Sequence, residues 1–168
     1  MALSRLLAIA LFIGSVAFAD GAIGADWTLV KPALTTESEL IGVFGNPTEV
    51  TASFPWEEWS AKWKKRPKSS SHVLRYRQQE SKSQLLVGPG GPADDVEVHI
   101  FSGKVLSVAW HYGGPPARSA IEMINADPQF AKGSPESTYR IGKHMPHGFL
   151  SGTLASNGTQ AELRYELK

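Results

Sequence analysis

The chain has 168 residues, 17 of them basic and 16 acidic, and it contains no cysteine. Near-balanced charge argues against a nucleic-acid partner. Without cysteine there are no disulfides and no lipoprotein anchor, so the fold must rest on its hydrophobic core.

The N-terminus has the three parts of a cleavable secretory signal. Met1 to Arg5 carries one positive charge, Leu6 to Phe18 is an apolar run, and Ala17-Phe18-Ala19 is a small-x-small cleavage site before Asp20. The run has about 13 residues, short of the roughly 20 that span a bilayer. Residues 1–19 are therefore expected to be removed, leaving 20–168 as one domain in the periplasm or secreted. Arg5 leaves with the leader, so the remaining charges balance.

Thr36 and Glu39 stand at capping-box spacing, followed by Leu40, Ile41, Val43 and Phe44, and then by Gly45-Asn46-Pro47. This predicts a short helix with a glycine stop. Thr48 to Phe54 alternates weakly, as a strand does. Pro55 to Lys65 reads as a second helix, with Glu57 and Glu58 near its start and lysines near its end. His72 to Gln79 reads as a strand with Val73 on one face and Leu74 and Tyr76 on the other. Gln84 to Val87 is a short apolar strand or the continuation of the preceding one, and Gly88 to Pro92 is a break.

Val96, Val98 and Ile100 alternate with Glu97 and His99, turn at Ser102-Gly103, and return through Val105 to Tyr112. This is the period-2 pattern of a half-buried hairpin. Gly113 to Pro116 marks a possible subdomain seam, and Ala117 to Ala126 a helix. Ser137 to Ile141 is a candidate strand. Phe149 to Ala155 and Gln160 to Leu167 flank an Asn157-Gly158 turn and predict a terminal hairpin. The fold class expected is α+β, with short helices packed on one face of an antiparallel sheet.

The order of a helix ending in Phe44-Gly45-Asn46-Pro47, a strand with Tyr76-Arg77-Gln78-Gln79 and a hairpin with Ile100-Phe101-Ser102-Gly103-Lys104-Val105 resembles the SmpA/OmlA (BamE-like) family. That family consists of small outer-membrane-assembly proteins, and the same fold recurs in proteinaceous β-lactamase inhibitors. The resemblance covers residues 34–112 and implies a BamE-like sheet used for protein binding. The missing lipoprotein cysteine, the insert at 55–66 and the tail from 113 depart from the family pattern.

Trp56, Trp59 and Trp63 fall at i, i+3 and i+7, with Lys62, Lys64, Lys65 and Arg66 crowding the far end. On a helix this makes an indole stripe beside cations, suited to an anionic membrane surface or a protein partner. The bland reading is a stripe packed on the sheet. His144 and His147, in a loop with Met145 and Pro146, are weak candidates for copper or zinc. His99 and His111 lie on the central hairpin, where they can face solvent. Asp94, Asp95 and Glu97 cluster at a strand entrance. No nucleophile elbow, phosphate loop or His-Glu-x-x-His is present.

The resulting expectation is an exported, non-enzymatic envelope protein without a cofactor. It would bind a protein partner or an anionic membrane surface, in outer-membrane assembly or maintenance. The alternative is a small exported metal or ligand binder using His144 and His147. Replacing Trp56, Trp59 and Trp63 by Ala is expected to abolish binding while the far-UV circular dichroism spectrum stays unchanged. Loss of the folded spectrum would instead make the stripe part of the core.

Overall fold

Period-2 segments dominate this chain, and strands dominate its fold. The computed structural model describes residues 27–51, 71–124, 126 and 139–167. Among them, seven strands form one antiparallel sheet: β1 (Glu49–Thr51), β2 (Ser71–Arg77), β5 (Asp95–Phe101), β6 (Lys104–Gly113), β7 (Tyr139–Met145), β8 (Gly148–Leu154) and β9 (Gln160–Glu166). Their order is β1-β2-β5-β6-β9-β8-β7, and every pair is antiparallel. Two further strands, β3 (Val87–Gly88) and β4 (Gly91–Pro92), make a separate small hairpin.

The central β5–β6 hairpin turns through Ser102 and Gly103, both at positive φ (52° and 70°). That backbone matches the twist of the flanking strands, and glycine suits the second position. The register shifts between His99 and Ile100. This bulge leaves Leu106 without a register partner on β5 and brings Val105 and Val108, three residues apart, onto the same face. Val105 enters the main core, while Leu106 joins Val73 and Phe101 in a small cluster of its own.

The first helix, α1 (Glu37–Phe44), starts as its sequence predicts. Glu39 N donates to Thr36 Oγ1 at 3.2 Å, and Thr36 N donates to Glu39 Oε2 at 2.8 Å. These satisfy two otherwise unpaired helix-end groups, and such a cap contributes about 1 kcal/mol. Gly45, at φ 87°, stops the helix, and its N–H donates to Ile41 O. The second helix, α2 (Pro116–Met123), has proline in its first turn and buries Ala117, Ala120 and Ile121. Ile124, just past its end, is buried too.

Three expectations are corrected here. The α+β, BamE-like class gives way to a mainly β fold: the sheet has seven strands, whereas the two described α-helices have eight residues each. The reason is that the period-2 segments after residue 138 join the main sheet, β9 pairing with β6 along seven residues. Secondly, Gln84–Leu86 is a 3₁₀ turn capped by Ser83 rather than a strand. Leu85 and Leu86 are both buried, and a strand would send adjacent side chains to opposite faces. Thirdly, His144 lies in β7, and only Pro146 and His147 form the turn to β8. The leader at 1–19 and the expected helix at 55–65 lie outside the described residues.

One face of the sheet carries the core. Leu74, Tyr76, Val96, Val98, Ile100, Val108, Trp110, Leu163, Tyr165 and Leu150 meet α1, α2, the 3₁₀ turn and the small hairpin there. Trp110 is fully buried, and its Nε1–H donates to Leu85 O at 2.8 Å. Trp27 lies edge-on to both Trp110 and Tyr165, with ring centroids 5.6 Å apart in each case. Tyr76 Oη donates to Gly45 O at 3.1 Å, tying β2 to the end of α1.

Gly88 passes directly over the Trp110 ring, and a Cβ there would sit 2.5 Å from Cδ1. The ring is enclosed and has no room to yield. Gly88→Ala is therefore expected to destabilise the fold by about 1–3 kcal/mol. Urea denaturation checks this as a lower midpoint at unchanged slope, and an unchanged midpoint would contradict the packing described.

Candidate functional site

The second face of the sheet carries the Val73–Phe101–Leu106 cluster at one end and is polar beyond it, and strand register decides what meets there. Glu49, Arg75, Glu97, Ala109, Arg164 and Ser151 form one cross-strand row. Arg77, Asp95, His111, Glu162, Thr153 and Arg140 form the next. Neighbouring positions in such rows are about 5 Å apart, within reach of long side chains.

Both rows set residues of opposite charge beside one another, Glu49–Arg75–Glu97 in the first and Arg77–Asp95 in the second. Arg75 Nη2 donates to Glu97 Oε1, and Arg75 Nε lies 3.6 Å from Asp95 Oδ2. Arg77 Nη2 donates to Glu49 Oε2 at 2.8 Å. Glu97 Oε2 is 3.9 Å from Nε2 of both His99 and His111. His111 Nδ1 is 3.8 Å from Glu162 Oε2, and Arg164 Nε donates to Glu162 Oε1 at 2.8 Å. The lattice thus runs across β1, β2, β5, β6 and β9.

Its centre is Glu97. His99 beside it, followed by the Arg75 hydrogen bond and charge, holds its carboxyl down to about 2 against the opposing effect of burial. Burial pushes the Asp95 carboxyl up, with Arg75 working against that shift. Among the described residues, Arg75 Nε, Asp95 Oδ1, Ser107 Oγ and His111 Nε2 are buried polar atoms that make no hydrogen bond.

At the end of β6, β8 and β9 this face opens into a cleft of about 520 Å³. Asp94, His111, Gly113, Thr153, Gln160 and Glu162 line it. Asp94 Oδ2 accepts from Gly113 N at 2.7 Å, which fixes one wall.

The contacts that dominate this face are charge pairs. A carboxylate held near 2 is a poor general base at neutral pH, where a base works best with a pKa near the ambient value. Ser107 faces His99 across the ladder. However, Ser107 is fully buried and its Oγ makes no hydrogen bond, so the nucleophile–base contact of acyl transfer is not formed.

Trp56, Trp59, Trp63, Lys62, Lys64, Lys65 and Arg66 lie outside the described residues. His144 is exposed on β7 with its ring edge-on to Phe149 at 5.2 Å, and His147 is exposed in the following turn. Among the described residues no three His, Asp or Glu side chains are grouped to hold a metal ion. His99 is buried and His111 half-buried, a correction to their expected solvent exposure. Sequence reading placed Glu97 outward but did not bring Arg75 and His111 to it, nor Glu162 to His111. The available signal was charge at alternate positions of β2, β5 and β9, and only register joins those strands.

Because the Glu97 carboxyl is depressed from 4.5 to about 2, its stabilising contribution is present above about 4.5 and is lost as pH falls toward 2. Asp95, shifted upward, acts in the opposite sense and adds stability on the acid side. Glu97→Gln is expected to cost about 1–3 kcal/mol at neutral pH and to flatten the fall in Tm between pH 4.5 and 2. Tm profiles of the two proteins check this. Parallel profiles would remove Glu97 from the centre of the lattice.

No family model, curated protein or solved structure matches this chain.

Proposed function

We propose that this is an exported, non-enzymatic envelope protein that binds a partner protein through the polar face of its sheet. The observation that carries the reading is the charged lattice on that face. It opens into a cleft of about 520 Å³ lined by Asp94, His111, Thr153, Gln160 and Glu162. Mixed charge of this kind gives orientation and partner discrimination more than raw affinity. A strongly depressed Glu97 suits a permanent charge rather than a titrating catalyst.

Export rests on the leader at residues 1–19. The Trp56/Trp59/Trp63 stripe with Lys62, Lys64, Lys65 and Arg66 is a second contact set, carried by sequence alone, and suits an anionic membrane surface. Among the described residues no helix is long and apolar enough to cross a membrane. A role in outer-membrane assembly or maintenance is one setting for such a binder. The metal reading through His144 and His147 gains no third ligand among the described residues.

The test is photo-crosslinking in intact cells, with a benzophenone side chain at Thr153 or Gln160 in the cleft and at Glu122 on α2 as control. Adducts to a protein at the cleft positions, absent at Glu122, are expected. Adducts to lipid alone would replace the protein partner by a membrane surface, and no adduct at either cleft position would remove this face as the interface.

A further inference from the structure

The sheet ends on one side in an unusually regular edge. β7 is seven residues long and pairs with β8 in unbroken register from Tyr139–Leu154 to Met145–Gly148. It contains no proline and no bulge. Among the described residues no strand pairs with its far side. The opposite edge, β1, has three residues and follows Pro47. In a hairpin closed by a two-residue turn the closing pair is hydrogen-bonded. Alternate residues of β7, Arg140 among them, therefore turn their backbone N–H and C=O groups away from β8.

The charge along this edge has one sign. Residues 139–148 include Arg140, Lys143, His144 and His147 and no acidic residue. Arg140 is exposed and Lys143 half-buried, and strand alternation places them on opposite faces of the edge. Neither forms an ion pair among the described residues. The nearest acidic positions in register, Glu162 and Glu166, lie two strands inward on β9. The row that begins at Arg140 continues through Thr153 to Glu162 and His111, which are walls of the cleft.

We infer that β7 is an acceptor edge for an extended acidic segment of a partner protein, which adds to the sheet as an eighth strand beside Arg140 and Lys143. Main-chain hydrogen bonds supply the affinity in such strand addition, and side chains on either side supply the selection. Cations flanking the edge from both faces select carboxylates at successive positions of the incoming strand. The inference rests on the partner-binding reading above and gives its mode and partner chemistry. Edge cations in many proteins serve instead to repel other strands, and the experiment separates the two roles.

The test uses the purified mature chain and labelled, end-capped peptides of about ten residues. One alternates Glu and Val, one alternates Lys and Val, and a third is the Glu–Val peptide N-methylated at every second residue. Fluorescence anisotropy is expected to show binding of the Glu–Val peptide, weakening with salt, and none of the Lys–Val peptide. N-methylation should abolish binding, and the double variant Arg140→Glu, Lys143→Glu should weaken it at least about tenfold. Equal binding of the N-methylated peptide would reduce the contact to charge alone and overturn strand addition. No binding by the wild type, together with self-association of the double variant, would assign the cations to guarding the edge. Cleft crosslinks with a failed peptide titration would leave the partner-binding reading standing without this mode. A successful titration without cleft crosslinks would move the interface wholly to the edge.

Discussion

The burial of Trp110 is the constraint on which the rest of the structure depends. Its indole stands at the middle of the central strand β6, on the face where all the covering elements meet. Burying so large a ring is favourable only if its N–H finds an acceptor, and Leu85 O in the 3₁₀ turn provides it. That bond locates the chain between β2 and β5, and the same chain then carries Gly88 across the ring where no side chain fits. Trp27 closes the other side and draws the first described residues onto β6 and β9. Trp-to-Ala changes at such sites cost about 3–5 kcal/mol, a large part of a domain's net stability.

The two faces of the sheet obey different physics. The covered face is held by area removed from water, about 25 cal/mol per Å² of apolar surface, and it tolerates exchange of one aliphatic for another of similar volume. The polar face is held by pairing, where removing one partner leaves the other half-buried and uncompensated. Register connects them: a one-residue slip of any strand would carry Glu97 or Arg75 into the core and expose Val98 or Leu74. The bulge at His99–Ile100 is the one place where the β5–β6 ladder breaks step, and it lets Val105 and Val108, three residues apart on β6, both face the core.

This division bears on function. A sheet covered on one face keeps the other for polar contacts. The ionic lattice is nearly self-neutral, and on the proposed reading its pairs would exchange with those of an incoming surface. The cleft and the β7 edge are joined by one cross-strand row, which runs from Arg140 through Thr153 to the His111–Glu162 pair.

Several elements were legible in the residues themselves. The Thr36/Glu39 box and Gly45 marked α1, the alternation around Ser102-Gly103 marked the central hairpin, and Asn157-Gly158 marked the last turn, where Gly158 has φ 69°. These signals are local, set by backbone sterics and by hydrogen bonds that span a few residues. Glu97 was readable as an outward position for the same reason. The fold class was not legible, because a short period-2 segment does not say whether it ends in a side hairpin or a shared sheet. Nor was the 3₁₀ turn at Leu85-Leu86, whose shape follows from the Trp110 acceptor it supplies 25 residues away in sequence. The lattice is the clearest case. Arg75, Glu97, His111, Glu162 and Arg164 were each visible as a charged or polar strand residue, but they belong to four strands. Which of them meet is decided by register between segments far apart in the chain, a long-range hydrophobic choice that local pattern does not contain.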